Sequence, residues 1–399
     1  MRIALLAPTH KSFTAKLLNI EDSSMLPEGY FGAPFLHDII DGLLRKGHEV
    51  IAITTSFADN ADFSVKTFQY QNFTWVVVPM RRHAFRFNKF KWGRMLDFYA
   101  IERRLILEQI KQYKPDLVHA HWGYEFAHCA IASQLPHLIT LHDNPFVIIR
   151  FQKSLYRIFK LVYAVYLINK IKFSSTVSPY MLKYVSSKNK ACRLIPNPVP
   201  ISLKKDEVIK LIESRKNTLT TNPNFVMIIN GWDSRKNGRN GLLAFKLIQK
   251  AFPGASLYLF GRGTEVGGKA YSDGEDLKLK NVFYYGITDR LQMISKLKEM
   301  HMLLHTALEE SFGVVLIEAM SLGLPAIGGV ESGAVPWVIA NENLLTNVNN
   351  PLQIASTVKS CMESYERISL SCFENVATRF SVETVTNQYE KYYFDIIGS

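Results

Sequence analysis

Two glutamates, Glu310 and Glu318, are the residues of this chain whose types and spacing most clearly suggest chemistry. Glu318 lies in an almost wholly apolar segment, residues 314–322, whose composition predicts a buried helix that ends at Gly323. Burying a polar group without a hydrogen bond costs about 2–7 kcal/mol. We therefore expect a polar partner to meet the carboxylate of Glu318.

The loop that joins the two glutamates has the composition of an anion site. Ser311 and Gly313 keep the side chains small where the first free backbone amides of the helix point outward. Two carboxylates beside such a loop could hold hydroxyl groups while the amides hold a phosphate. A nucleotide sugar carries both kinds of group.

Length and composition limit the class of protein. A chain of 399 residues predicts two domains, and 47% hydrophobic with 21% charged residues is typical of a soluble globular protein. The four cysteines are scattered without C-x-x-C spacing, which fits a reducing cytoplasm and indicates neither a zinc site nor disulfides. No apolar run approaches the roughly 20 residues that span a bilayer, so we expect no membrane crossing.

The positive charge of the chain lies in its first half. Residues 1–200 carry 26 Lys or Arg against 14 Asp or Glu, whereas residues 201–399 carry 21 of each sign. Arg150, Lys153, Arg157 and Lys160 are spaced to share one face of a predicted helix. This pattern favours a helix lying in the plane of an anionic membrane surface, although a core helix with a solvated basic face would look similar.

A second basic segment, residues 81–94, interleaves six cations with four aromatic residues. Such a segment suits single-stranded nucleic acid, because bases stack on aromatic rings while cations follow the phosphates. A solvated helix face with buried rings is the alternative, and the segment alone does not decide between them.

Strands and helices alternate in both halves, which predicts parallel sheets with a doubly wound order. In the first half, Gly32 follows the first strand and would let backbone approach a ligand, and His142 follows another strand. In the second half, Arg235, Lys236 and Arg239 follow a strand, where they could neutralise a diphosphate or form a solvated cluster. The polar stretch 203–224 between the halves is interpreted as a linker.

The motif E-S-F-G-V-V-L-I-E-A-M-S-L-G-L-P-A-I, which begins at Glu310, resembles the retaining glycosyltransferases of family 4 (glycosyl transferases group 1), which have the GT-B fold. L-H-D at 141–143, L-I-P-N-P-V at 194–199 and S-G-A-V-P-W-V-I at 332–339 support the resemblance, which covers most of the chain. It implies an α/β fold with two Rossmann-like doubly wound domains facing a cleft. Residues 1–200 would bind the acceptor, residues 201–380 the nucleotide sugar, and a C-terminal helix at 381–399 would cross back to the first domain.

The resemblance also implies roles for single residues. His142 and Glu310 would be catalytic, with His142 over the reacting sugar and Glu310 on the hydroxyls of the donor sugar. Glu318 would contact the ribose hydroxyls and Lys236 the diphosphate. The remaining donor-binding residues would be Gly32, Arg235, Gly261, Gly263, Ser311, Phe312 and Gly313, with help from backbone near Gly286.

The chain departs from the family pattern at two positions. Trp232 follows Gly231 where the family commonly has Arg, so the second phosphate-binding cation is left open between Arg235 and Arg239. Ala33 stands where many members have a second glycine, which leaves the contact at that position open.

The predicted activity is retaining transfer from a UDP-, GDP- or ADP-linked sugar to a saccharide or polyprenyl-diphosphate-linked saccharide, in cell-surface polysaccharide or glycan biosynthesis. We expect no cofactor and no metal, and a cytoplasmic protein with peripheral association at the inner face of the cell membrane. A GT-B-like nucleotide-sugar epimerase or phosphorylase is the alternative among enzymes. A basic nucleic-acid-binding protein is the other alternative, but it leaves Glu310 and Glu318 unexplained.

Overall fold

A computed structural model describes residues 1–58, 63–86, 92–186, 189 and 191–399. These residues divide into two compact units, of which the first is Met1–Pro198 with Val382–Ser399 and the second is Val199–Ser381. Each unit is an α/β structure built on one mainly parallel sheet. The predicted fold class is confirmed.

In the described part of the first unit, the sheet has eight strands, which are β1 (Arg2–Leu6), β2 (Glu49–Phe57), β3 (Lys66–Tyr70), β4 (Phe73–Met80), β5 (Leu117–His121), β6 (His137–Leu141), β7 (Ser174–Thr176) and β8 (Cys192–Leu194). Their spatial order is β3-β4-β2-β1-β5-β6-β7-β8, and only β3 pairs antiparallel with its neighbour. The strand order reverses between β1 and β5. Ligands bind at such a switch point in open α/β sheets, beyond the carboxyl ends of the strands.

Among the described residues of 1–198, seven α-helices accompany this sheet, and they are α1 (Lys11–Leu17), α2 (Phe35–Arg45), α3 (Ala100–Tyr113), α4 (Glu125–Ala132), α5 (Pro145–Phe151), α6 (Leu155–Ile168) and α7 (Pro179–Ser186). The spacing of Leu36, Ile39, Ile40 and Leu43 predicts a helix over residues 34–46, and α2 forms there with all four side chains fully buried.

The prediction of one basic helix through Arg150 and Lys160 is wrong. Helix α5 ends at Phe151, and α6 begins at Leu155 after Ser154, whose side chain accepts a hydrogen bond from the amide of Arg157 at 3.3 Å. Lys160 is buried, and its Nζ donates to Oε2 of Glu125 at 3.0 Å. The four cations therefore do not share one face of a single helix.

The basic segment 81–94 is described only in part, since residues 87–91 lie outside the described residues. The described part is not helical. Arg81 pairs with Asp97 and Glu102 at 2.7 Å and 2.6 Å, and Arg94 donates to the carbonyl oxygen of Arg81 at 2.8 Å. These cations make contacts inside the unit, which is a structural use for them.

The sheet of the second unit has six parallel strands, which are β9 (Asn224–Ile228), β10 (Ser256–Phe260), β11 (Val282–Gly286), β12 (Met302–Leu304), β13 (Ala326–Gly329) and β14 (Leu345–Thr346). Their order is β11-β10-β9-β12-β13-β14, so the order reverses between β9 and β12. The helices of this unit are α8 (Lys205–Lys216), α9 (Gly238–Ala251), α10 (Lys269–Asp276), α11 (Arg290–Leu297), α12 (Val314–Met320), α13 (Val335–Ile339), α14 (Pro351–Glu363) and α15 (Tyr365–Arg379).

The stretch that we interpreted as a linker contains helix α8, so that interpretation is wrong. Val208 and Ile212 are buried one helical turn apart. Arg215 is 3% exposed, and its guanidinium donates to four backbone carbonyl groups at 3.0–3.2 Å, those of Leu297, Lys298, Leu322 and Gly323. Arg215 thus satisfies carbonyl groups at the end of the segment that carries Glu318.

The C-terminal helix α16 (Val382–Ile397) packs on the first unit. Glu390 accepts hydrogen bonds from Lys46 at 2.7 Å and contacts the His48 ring at 2.9 Å, and the hydroxyl of Tyr393 lies 2.7 Å from Nδ1 of His119. In the described part of the chain, no helix has the length and apolar character needed to span a membrane.

Replacing Arg215 tests the role of α8. In Arg215→Met, buried carbonyl groups lose their donors, at a cost of about 1–3 kcal/mol for each group left unsatisfied. We expect the free energy of unfolding to fall by about 3 kcal/mol, measured by urea denaturation. Lys210→Met on the exposed side of α8 is the control, and we expect a change of about 0.5 kcal/mol or less. Equal losses in both variants would contradict this role.

Candidate functional site

An ion pair between partly buried side chains joins the loops that follow β9 and β12, the two strands at the switch point of the second sheet. Nζ of Lys236 contacts Oε1 of Glu310, and the two side chains are 15% and 12% exposed. The residues lie 74 positions apart in the chain. The structure thus brings together two side chains that the sequence assigned to the same ligand.

The loop after β9 is held so that Lys236 points to Glu310. The amide of Lys236 donates to Oδ1 of Asp233 at 3.1 Å, and its carbonyl oxygen accepts from the Thr306 hydroxyl at 3.2 Å. Asn237 adopts a positive φ of 52°, and its side-chain amide donates to the carbonyl oxygen of Val348 at 2.9 Å. These local bonds fix the cation before any ligand arrives.

The loop after β12 is fixed in the same way. The carbonyl oxygen of Glu310 accepts from the amide of Ala334 at 2.9 Å, and Gly313 has a φ of 89° where helix α12 begins. The Phe312 side chain is buried against Trp337 and Phe380, at ring distances of 6.3 Å and 5.6 Å. A donor could therefore contact Phe312 only through its backbone.

The charges around Glu310 keep it ionised. Burial raises its pKa, but the nearby charges of Lys236, His305 and Arg235 lower it more, to about 2. The carboxylate is therefore an acceptor of hydrogen bonds throughout the neutral pH range.

His305 belongs to the same cluster, although the sequence analysis missed it. Its Nε2 is buried, makes no hydrogen bond to the described residues, and lies 3.6 Å from Oε1 of Glu310. Burial lowers the pKa of His305 to about 4, so the ring is neutral at pH 7. The signal was available, because His305 directly follows a buried parallel strand, as His142 does in the first half.

Arg235 and Arg239, the two alternatives for the second phosphate-binding cation, lie in different surroundings. Nη1 of Arg235 is 3.4 Å from Oε2 of Glu309, and the charge of Arg235 acts on Glu310. Arg239 instead contacts Asp273, which also accepts from Nε1 of Trp232 at 2.8 Å. The structure brings Arg235, and not Arg239, to the Lys236–Glu310 pair.

Glu318 meets a protein side chain. Its Oε1 accepts a hydrogen bond from Nε of Arg290 at 2.7 Å, and the two side chains are 4% and 11% exposed. A ribose that bound Glu318 would therefore share it with Arg290. Nothing near Glu318 in the sequence indicated Arg290, which lies 28 residues earlier on α11.

The packing of the loop after β10 explains why this loop contains glycine. A Cβ on Gly261 would lie 2.1 Å from the carbonyl oxygen of Ile229, and the amide of Gly261 donates to Gly286 at 2.7 Å. The amide of Gly263 donates to Oε2 of Glu265 at 2.8 Å. A nucleotide that used the Gly263 amide would replace Glu265.

In the first unit, Gly32 lines a cavity of about 210 Å³. Its φ is 128°, and a Cβ there would have no atom within 4 Å, so the backbone is open on that side. The loops after β1 and β5 form much of the cavity wall. The cavity therefore lies at the switch point of the first sheet.

His142 follows β6 and is only 5% exposed. Its Nε2 is 2.9 Å from Nδ1 of His121, and its ring lies 4.4 Å from Trp122 and 5.2 Å from Phe35. Burial lowers the pKa of His142 to about 3, so the ring is neutral at pH 7. His142 can therefore act as a neutral hydrogen-bonding group that its neighbours hold in a fixed position.

Two family models match the chain. Residues 33–203 match the family described as Glycosyltransferase Family 4, and residues 210–371 match Glycosyl transferases group 1. N-acetyl-alpha-D-glucosaminyl L-malate synthase of Bacillus anthracis is 29% identical over 121 residues, which are 29% of this chain and 31% of that protein. The match thus spans less than a third of that relative.

Solved structures share the whole architecture. Sucrose-phosphate synthase from Thermosynechococcus elongatus superposes with a TM-score of 0.73 at 17% identity, over 100% of this chain and 99% of that one. The E. coli structure described as trehalose-6-phosphate bound with UDP-2-fluoro glucose gives 0.67 at 11% identity, over 100% and 99%. A glycosyltransferase from Rickettsia africae gives 0.62 at 16% identity, over 99% and 98%.

Stability against pH tests the neutral state of His305. Below about pH 6.5 the unfolded chain binds a proton at His305, but the folded chain binds it only near pH 4. Stability from this residue is therefore present above pH 6.5 and is lost as the pH falls to 4. We expect His305→Gln to lose about 3 kcal/mol less than the parent protein over this range, measured by urea denaturation.

The exposed His83 provides the control for this measurement. His83→Gln should follow the parent protein across the range, because solvent surrounds this ring in the folded chain. Parallel pH curves for His305→Gln and the parent would show that burial does not keep His305 neutral.

Proposed function

Since the chain belongs to the glycosyltransferases of the GT-B fold, with a family 4 domain and a glycosyl transferases group 1 domain, we propose that it transfers a sugar with retention of configuration. The donor is a nucleoside-diphosphate sugar and the acceptor is a saccharide. The observation that supports this function most is the Lys236–Glu310 pair at the switch point of the second sheet. It supplies a cation for phosphate and a carboxylate for hydroxyl groups at one place.

The donor binds to the second unit by exchanging partners. Nζ of Lys236 leaves Glu310 for the diphosphate, and Arg235 adds a second positive charge. Glu310 then accepts hydrogen bonds from the hydroxyl groups of the sugar, and its lowered pKa keeps it ionised. Glu318 accepts from the ribose while Arg290 holds the carboxylate in place.

Transfer occurs on one face of the sugar. The bond from the anomeric carbon to the diphosphate oxygen breaks, and a bond from that carbon to the acceptor oxygen forms. The proton of the acceptor hydroxyl passes to the departing diphosphate. Lys236 and Arg235 stabilise the charge that develops on the diphosphate, and electrostatic stabilisation of this kind is usually the largest contribution to catalysis.

His142 takes part as a neutral hydrogen-bonding group for the reacting sugar. The reaction needs no metal ion, because side-chain cations neutralise the leaving group. The E. coli protein with a similar fold is described as bound with UDP-2-fluoro glucose, which supports a nucleotide sugar as the donor class. The donor of this chain is a UDP-, GDP- or ADP-sugar.

The exposed surface of helix α6 suggests that the protein binds to a membrane surface. Its exposed side is apolar, and the five residues on it are Leu155, Ile158, Val162, Val165 and Tyr166. Exposed cations stand at both ends, with Lys153 just before the helix and Lys170 and Lys172 just after it. An apolar stripe with flanking cations suits an anionic lipid surface.

This surface suggests the acceptor and the location. We propose that the protein works at the cytoplasmic face of the cell membrane on a polyprenyl-diphosphate-linked saccharide, in the synthesis of a surface polysaccharide or glycan. The helix would hold the enzyme where such acceptors are anchored.

A thermal-shift screen tests the donor site. We expect one of the UDP-, GDP- and ADP-sugars to raise the melting temperature by several degrees, because a ligand at about 100 times its Kd adds about 2.7 kcal/mol. Lys236→Ala should lose most of this shift, since the diphosphate loses its cation. Lys250→Ala on the exposed side of α9 is the control and should keep the shift. A melting-temperature shift in Lys236→Ala as large as that of the parent protein would contradict the proposed donor site.

Product analysis separates transfer from its alternatives. With a bound donor and a saccharide acceptor, we expect a new glycoside and one equivalent of nucleoside diphosphate. An epimerised nucleotide sugar formed without acceptor, or a sugar phosphate formed only with inorganic phosphate, would show an epimerase or a phosphorylase instead.

Vesicle binding tests the membrane surface. The parent protein should co-sediment with vesicles that contain phosphatidylglycerol at low salt and dissociate at high salt, because salt screens the cations. The double variant Ile158→Ser, Val162→Ser should lose most of this binding. Val266→Ser, Leu291→Ser, which changes two exposed apolar residues of the second unit, is the control. Equal binding of both double variants would contradict the role of α6.

A further inference from the structure

The cavity beside Gly32 has walls that suit a sugar ring. Four of its lining side chains are large aromatics with a polar atom, Tyr30, Trp122, Tyr124 and Tyr156. Its volume of about 210 Å³ is below the roughly 300–1,000 Å³ of pockets for drug-sized ligands, so it holds a small ring. Aromatic faces pack on the C–H face of a pyranose and leave the hydroxyl groups at its edge for polar partners.

The hydroxyl groups on the wall stay protonated. Burial raises the pKa of Tyr30 and of Tyr124, so both remain hydroxyl groups at neutral pH. Each can donate one hydrogen bond and accept others. This matches the hydroxyl groups of a sugar, which also donate and accept.

The positive and negative charges of the side chains that line the cavity sum to zero. They are two carboxylates, Glu125 and Asp143, and two cations, Arg157 and Lys160. Lys160 is already paired, since its Nζ lies 3.0 Å from Oε2 of Glu125 and 3.9 Å from the centre of the Tyr124 ring. The cavity therefore offers no excess of positive charge to a phosphate or a carboxylate.

The other charged pair has hydrogen-bonding roles. Oδ2 of Asp143 accepts from Nε1 of Trp122 at 2.9 Å, and Nε of Arg157 donates to Oε1 of Gln152 at 2.9 Å. These bonds orient a carboxylate and a guanidinium on the lining. An anionic ligand would meet Asp143 as well as Arg157, so it would gain no net attraction to offset the cost of removing its charge from water. A neutral hydroxyl group can bond to either residue.

We propose that this cavity binds one uncharged pyranose, the terminal unit of the acceptor, between the aromatic walls and the Asp143 and Arg157 side chains. The inference rests on the proposed function, because it identifies the acceptor of that reaction. It adds the chemical class: the unit that accepts the new sugar carries no phosphate or carboxylate of its own.

The test measures binding of free sugars by saturation-transfer NMR and by the fluorescence of tryptophan. The neutral probes are the methyl α-pyranosides of glucose, mannose and galactose, and the charged probes are glucose 6-phosphate and methyl glucuronide. We expect one neutral probe to bind at least about tenfold more tightly than either charged probe. Tighter binding of a charged probe, or no binding of any neutral probe, overturns the proposal.

Variants place the binding in the cavity. Arg157→Gln and Phe31→Ala each remove a side-chain group from the lining of the cavity. Each variant should therefore bind the neutral probe about fivefold or more less tightly than the parent protein. Asp143→Asn gives the lining a net positive charge. The affinity for glucose 6-phosphate should therefore rise about tenfold relative to the affinity for the neutral probe. Phe394→Ala, at an exposed position of α16, is the control. Unchanged binding in the three cavity variants overturns the proposal.

The donor-induced thermal shift is measured on the same samples. If the parent protein shows no shift with any nucleotide sugar, the proposed function fails. If the shift is present in the parent and in all variants but the pyranosides do not bind, only the acceptor inference fails.

Discussion

The ion pair between Lys236 and Glu310 is the interaction on which the site of the second unit depends. Parallel order brings the loops after β9 and β12 to one edge of the sheet, and the pair then joins them at largely buried positions. Removing one partner would leave the charge of the other partly desolvated and uncompensated. In our proposal, a diphosphate replaces Glu310 beside Lys236, so that donor binding frees the carboxylate for the sugar without leaving the cation unpaired.

Helix α6 gives the first unit two surfaces that a lipid-linked saccharide would require. Its inner side contributes Tyr156, Arg157 and Lys160 to the cavity at the switch point of the first sheet. Its outer side exposes Leu155, Ile158 and Val162. The buried Glu125–Lys160 pair ties α6 to α4, so the inner side is fixed while the apolar stripe stays open.

Local pattern was enough to predict the fold and to select Lys236 and Glu310, which the structure brings into contact. Apolar periodicity places α2, apolar composition places α12, and the Glu310 motif with the cations after β9 indicates a donor site. The sequence could not show contacts between distant residues. Arg290 beside Glu318 and Glu125 beside Lys160 come from other helices, so the basic residues near α6 looked like one exposed face of a single helix. His305 was missed although its place after β12 follows the rule that identified His142.

The most direct measurement is a crystal structure grown with the nucleoside diphosphate whose sugar gives the largest thermal shift. Our proposal predicts the diphosphate within hydrogen-bond distance of Nζ of Lys236, the ribose at Glu318, and Glu310 turned from Lys236 toward the vacant sugar position. A nucleotide bound elsewhere, with the Lys236–Glu310 pair intact, would contradict it.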